Sequence, residues 1–346
     1  MYDRFRPLLV LAASLLLVSL LAVLAGRGVT MASQTYQIAF MSDRDGDIET
    51  YRVGVDGQGV MNLTNNPEID GGAHWSQTSQ AFVFVSTRDV GFPAIYRMNQ
   101  DGSEQTLITA DVPADVSLPE WSPDGRLIAV TSSISGNPDI YVIDAVTGEF
   151  VNVTSHPAQD NFGDWAPDSQ SLLFTSDRIG QGAIYEVGID GGGVTPLTDL
   201  STPNALPVYS PTGDRIAFLS ARDNDIEIYL MDADGGNPTR LTSSPGLDNN
   251  PKWSPDGSRI AFLSEREGDI EIFAVDVDGS NLANLTQNPA QDSIQGDFAW
   301  SPDGSQLAFT SDRSGDIEVY IMESDGSNVT NISNDPGADF GPIWVH

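Results

Sequence analysis

"SDRSGDIEVYIMESDGSNVTNIS" occupies Ser311 to Ser333, and nearly the same text stands at Ser264 to Thr286 ("SEREGDIEIFAVDVDGSNLANLT") and at Ser42 to Thr64 ("SDRDGDIETYRVGVDGQGVMNLT"). A segment that recurs with its apolar and turn positions intact is one structural unit copied along the chain, so its period decides the architecture. An aromatic residue precedes each turn between copies: Trp75, Trp121, Trp165, Tyr209, Trp253, Trp300 and Trp344, spaced by 46, 44, 44, 44, 47 and 44 residues. Counting 44 back from Trp75 gives Met31, so seven units fill the chain from about residue 31 to its end.

Each unit reads as four short strands. The first carries the aromatic, as in "NPKWS" at Asn250 to Ser254. An "SPDG" turn follows at Ser122, Ser254 and Ser301, with Pro presetting φ, Asp bonding back to the backbone and Gly taking φ > 0. The second strand is apolar ("IAF", "FVF", "IAV", "LLF", "LAF"), and the third ends in an aromatic column of Tyr51, Tyr96, Tyr141, Tyr185, Tyr229, Phe273 and Tyr320. Asp-Gly at Asp56, Asp101, Asp190, Asp234, Asp278 and Asp325, or Thr147-Gly148, closes a hairpin into an "NLT"-like outer strand. Four strands per unit of about 44 residues, seven times over, is the arithmetic of an all-β, seven-bladed β-propeller of four-stranded blades. The first unit lacks an aromatic strand and the last is followed by a spare one, "GPIWVH" at Gly341 to His346. We therefore expect the C-terminal strand to complete the first blade and cover its edge. An open arc, or a six-bladed ring with a spare unit, is the alternative.

The pattern "W-S-P-D-G", "I-A-F-x-S-x-R-x-G", "I-Y" and "D-G…L-T" resembles the TolB-type propeller repeat along the whole chain after residue 30. The resemblance implies a fold more than a function. Such propellers occur in the TolB component of the Tol–Pal envelope system, as gates of prolyl oligopeptidase-like enzymes, and in exported proteins of unassigned role. TolB itself pairs a six-bladed propeller with a small α/β domain. Seven units leave no room for that domain, so a TolB-like protein other than TolB proper is expected.

Composition narrows the partners. The 346 residues include 16 basic and 49 acidic ones, a formal net charge of -33. Such a surface repels nucleic acid and anionic headgroups and favours cations, basic proteins or neutral ligands. Cysteine is absent, which removes disulfides, thiolate chemistry and lipidated Cys. Near the start, Arg4 and Arg6 precede an apolar stretch from Pro7 to Gly26, long enough to span a bilayer as one helix. Residues 1–30 are thus expected to be a signal peptide or membrane anchor, with 31–346 exported to the periplasm or exterior. Val23 and Ala25 would also suit a cleavage site, so both fates stay open.

Enzyme motifs such as GxSxG and HExxH are absent, and catalysis is not expected. His74 and His156 read as residues of connections between units, and Lys252 is the only lysine. A column of arginines (Arg44, Arg88, Arg178, Arg222, Arg266, Arg313) skips only the third unit and is expected to pair with carboxylates of the adjacent turn. Beside it stand Asp47/Glu49, Asp225/Glu227, Asp269/Glu271 and Asp316/Glu318 in units one, five, six and seven, which are consecutive in a closed ring. Their i, i+2 spacing suggests one strand face and one acidic arc. A second set, Asp70, Asp115, Asp160, Asp248, Asp292 and Asp339 with Asn204, precedes the aromatic strands and is expected to ring one mouth of the channel. These carboxylates are the candidate sites for a cation or a basic partner, against a plain turn role. Calcium is conceivable only outside an EF-hand, since "DRDGDIE" from Asp43 has Ile48 where Gly is needed and Gly54 where Glu is needed. The sequons at Asn62, Asn152, Asn284, Asn328 and Asn331 fall mostly in the repeating outer strand and read as part of the repeat. The expected function is a monomeric, cofactor-free scaffold for a basic protein or neutral envelope polymer. Alternatives are a metal-dependent carbohydrate-active enzyme and an accessory or gating module.

Overall fold

The structure, a computed structural model, describes residues 36–346 apart from 90–91, 109–115, 117–118, 200, 224 and 294–297. The expected N-terminal helix and the 1–30 segment lie outside these residues. Among the described residues the regular structure is entirely β, in seven four-stranded sheets. Blade six is representative: Asp248–Trp253, Arg259–Ser264, Glu271–Asp276 and Ala283–Asn284 pair antiparallel in chain order. Blade one is built differently. Its strands Gln37–Ser42, Glu49–Gly54 and Met61–Asn62 are joined by Asp339–Val345, which pairs antiparallel with Gln37–Ser42 as the innermost strand.

The apolar second and third strands are buried on both sides because each sheet packs on its neighbours. Leu173 and Ile184 of blade four, for instance, share a core with Phe218 and Tyr229 of blade five. The Asp-Gly hairpins are fitted to that packing. Gly235 has φ +85°, and a Cβ there would stand 2.3 Å from the Leu197 carbonyl oxygen of the preceding blade, so only glycine lets the turn dock. The "NLT" hydroxyl ties the outer strand to the third: the Ile228 N–H donates to Thr242 Oγ1 at 3.0 Å, and the Thr50, Ile140, Ile184, Ile272 and Val319 N–H groups do the same with Thr64, Thr154, Thr198, Thr286 and Ser333. This explains why so short an outer strand keeps its Thr or Ser in these six copies.

Candidate functional site

The arginine column has one construction. In blade six the Arg266 Nε donates to Ser264 Oγ at 2.8 Å, and Nη2 donates to Asp248 Oδ2 at 2.7 Å. The guanidinium lies 5.5 Å from the Phe262 ring centre and 4.7 Å from that of Phe273. The same pairing joins Arg44 to Asp339, Arg88 to Asp70, Arg178 to Asp160 and Arg313 to Asp292, with each Asp fully buried. Arg222 takes neutral Asn204 at 3.3 Å. The partner is therefore the Asp that opens the inner strand, or in blade seven Asp292, which bridges to Ser311 ahead of that strand, not a carboxylate of the adjacent turn as expected. The reason is register: Asp70 stands opposite Ser86, two residues before Arg88. Asp70, Asp160, Asp248, Asp292 and Asp339 are consumed by these pairs and do not form an open ring of carboxylates. Asp115 lies outside the described residues.

The paired acids of the third strand also separate. Glu49, Glu227, Glu271 and Glu318 begin that strand and are buried, whereas Asp47, Asp225, Asp269 and Asp316 sit in the turn before it, exposed or half-exposed. Strand alternation does not extend into the turn, so each pair is split between interior and surface. Each Glu binds the loop after the outer strand. Glu227 accepts from Thr242 Oγ1 at 2.7 Å and from the Ser244 N–H at 2.8 Å, and Glu318 accepts from Ser333 Oγ at 2.5 Å and the Asp335 N–H at 3.0 Å. Glu49 and Glu271 accept from the Asn66 and Asn288 N–H groups in the same way. Burial raises the pKa of Glu49, Glu271 and Glu318, and Asp339 across the blade seam raises Glu318 further. These glutamates hold the fold, and of the four only Glu271 is seen, among the described residues, to line a pocket, which it shares with Glu267 and Asp269.

What remains on the surface is still asymmetric. The turns between second and third strands present Asp43, Asp45 and Asp47 in blade one, Asp223 and Asp225 in blade five, Glu265, Glu267 and Asp269 in blade six, and Asp312 and Asp316 in blade seven. The same turns carry Asp89 alone in blade two, Asp177 alone in blade four, and no acid in blade three, where Ile134 replaces the arginine. The column arginines of blades six, seven and one are already matched by buried Asp, so the turn acids of those blades stay largely uncompensated; in blade five Arg222 meets only neutral Asn204 and Asp223 lies beside Arg240 at 3.5 Å, so that blade keeps cations of its own. Among the described residues no group of three or more His, Cys, Asp or Glu side chains is placed to hold a metal ion.

The model for the TolB β-propeller domain matches residues 107–205 and 196–297. The chain belongs to this family. Over 108 residues it is 32% identical to the Tol-Pal system protein TolB of Desulfosudis oleivorans, a match covering 31% of this chain and 24% of that protein. Over 66 residues it is 38% identical to the uncharacterized peptidase YuxL of Bacillus subtilis, covering 19% and 10%. The chain thus spans less than a quarter of either relative. Among solved structures it resembles TolB from Acinetobacter baumannii (TM-score 0.57, 21% identity, 90% of this chain and 82% of that one). It equally resembles an oligogalacturonate lyase in complex with manganese (TM-score 0.62, 16% identity, 86% and 85%) and a puromycin hydrolase (TM-score 0.61, 16% identity, 78% and 47%). At these identities the likeness is one of fold.

The inner strands of this TolB-type propeller hold a second group of residues that the repeat conceals. The residue before each aromatic is His74, Glu120, Asp164, Val208, Lys252, Ala299 or Ile343, all in register opposite equivalent positions of the second strands. The aromatics turn back toward the preceding blade: the Nε1–H groups of Trp165, Trp253, Trp300 and Trp344 donate to the carbonyls of Glu120, Val208, Lys252 and Ala299, the pre-aromatic residues of the blades before them, at 3.0 to 3.2 Å. The pre-aromatic side chains turn forward: the Trp121 N–H donates to His74 Nδ1 at 3.2 Å, and the Tyr209 N–H donates to Asp164 Oδ2 at 2.8 Å. His74 is therefore an inner-strand residue, not part of a connection as expected from the sequence. Burial pushes Asp164 up to about 7, helped by nearby Glu120 and opposed by backbone N–H donors and Lys252. Burial lowers the His74 pKa, with Lys252 acting the same way and Glu120 against it. These residues differ in every blade, so a search for sameness passes over them.

Proposed function

We propose that the chain is an exported, non-catalytic TolB-type scaffold that docks a basic protein on its loop face. The observation that carries this reading is the run of exposed and half-exposed turn acids on blades six, seven and one, left without matching cations because the arginines below are neutralised by buried aspartates, and extended by Asp223 and Asp225 of blade five. Of the candidate residues, Asp47, Asp225, Asp269 and Asp316 are the ones assigned to contact. Export rests on Arg4, Arg6 and the apolar Pro7 to Gly26 segment, which we take as a signal or anchor ahead of a propeller at 31–346. Periplasmic or extracellular placement suits a relative named as a Tol-Pal system protein. We further propose that Asp339–Val345 is the clasp that closes a monomeric ring.

Electrostatic docking has a direct test. Association of the protein with a basic probe such as polylysine should weaken steeply between about 50 and 200 mM salt, where the screening length falls to below about 10 Å. Binding that is insensitive to salt would remove the acidic arc from the function.

A further inference from the structure

The axial channel combines features that the loop face does not explain. A cavity of about 530 Å³ is lined by His74, Glu120, Lys252, Ala299 and Ile343, and a second of about 450 Å³ beside it shares His74 and Glu120 and adds Asp164. Pro302 and Pro342 and the rings of Trp300 and Trp344 supply apolar wall. The volume is ordinary for a small-molecule site. Charge is distributed by side: blades two, three and four contribute His74, Glu120 and Asp164, while blade six, across the axis, contributes Lys252.

Neither Lys252 nor Glu120 forms an ion pair among the described residues. Yet both act electrostatically on Asp164 and on His74, so all four groups share one space. Two opposite charges facing one cavity without touching define its ligand. An inorganic or organic cation would meet Lys252, and an anion would meet Glu120. A molecule carrying both signs satisfies each wall, with its apolar part against Ala299 and Ile343. His74 completes the set: its Nδ1 accepts the Trp121 N–H, which leaves the proton of the neutral ring on Nε2 as a donor.

We propose that the channel binds a small zwitterion, an amino acid or short peptide with free termini, with its ammonium group on Glu120 and its carboxylate on Lys252. The test uses the purified full-length chain, with isothermal titration of leucine, Ala-Leu, N-acetyl-Ala-Leu and Ala-Leu amide. Expected is saturable binding of leucine or Ala-Leu with Kd near about 1 mM or tighter. Blocking either terminus should weaken it by about tenfold or more, as should Lys252→Met and Glu120→Gln, each with unchanged melting temperature. Tighter binding of leucine would identify a free amino acid as the ligand, and tighter binding of Ala-Leu a peptide. No saturable binding by any probe, or equal binding of blocked and free dipeptides, would overturn the proposal. So would Lys252→Met and Glu120→Gln variants that keep their fold and bind like the parent.

Discussion

Arg266 shows what the repeat is for. One side chain satisfies the Ser264 hydroxyl, neutralises fully buried Asp248 and covers two aromatic rings. Arg266→Met would strand the Asp248 carboxylate in the interior, at an expected cost of about 3–5 kcal/mol, read as a lower denaturation midpoint. Asp269→Asn, in the neighbouring turn, should move that midpoint by less than about 0.5 kcal/mol. Comparable losses from the two would contradict the division between structural and surface acids. Titration gives a second reading. The folded pKa of Glu49, Glu271 and Glu318 is raised by burial above the ordinary value of 4.5, so the native state holds protons that the unfolded chain has released. Their contribution is fully present below the ordinary values and is lost as pH rises through the folded ones. Turn carboxylates such as Asp256 and Asp303 are lowered by Ser hydroxyl and backbone donors and act oppositely, losing stability as pH falls below 3.8. With Asp164, pushed up to about 7, setting the upper end of this window and the raised glutamates its lower end, the melting temperature should rise on going from about pH 8 to about pH 5 and drop below about pH 3.5. A flat profile between pH 8 and 5 would contradict the buried-carboxylate assignment.

At the level of the element, the strands were legible and their side-chain partners were not. Periodicity, the Asp-Gly hairpins and the aromatic columns place every blade, because turn chemistry and alternation are local. The ion pairs are set by register between strands: Asp70 and Arg88 are 18 residues apart in sequence and meet only once Asp70 stands opposite Ser86. The Asp47/Glu49 pairing misled because alternation was extended across the turn boundary just before Glu49. The pre-aromatic residues escaped notice for the opposite reason, since His74, Glu120, Asp164 and Lys252 are where the copies differ. Strand pairing also gives a stability prediction. Removing Gly341 to His346 would strip Trp344 and Val345 from the blade-one seams and uncover the edge of Gln37–Ser42. We expect a strongly lowered melting temperature and self-association at high concentration; a truncated chain that melts like the parent would exclude the clasp.

The whole molecule carries charge of one sign but distributes it unequally. Asp residues of the hairpins at the opposite end, such as Asp101, Asp190, Asp278 and Asp325, are exposed and accept the backbone N–H two residues on, so they add negative charge without gathering on one arc. Net charge alone would attract a basic protein anywhere on such a surface. Docking on the loop face requires that position matter as well as charge. The decisive measurement compares two variants with the same change in charge: Asp47, Asp225, Asp269 and Asp316 to Asn, and Asp101, Asp190, Asp278 and Asp325 to Asn, where Asn preserves the turns. Affinity for a basic protein probe is measured at low and moderate salt, with melting temperatures as the control for folding. The account predicts that the first variant loses about tenfold or more in affinity and part of its salt dependence, while the second binds like the parent. Equal losses in both would contradict it, leaving the acidic arc as a feature of solubility and not of recognition.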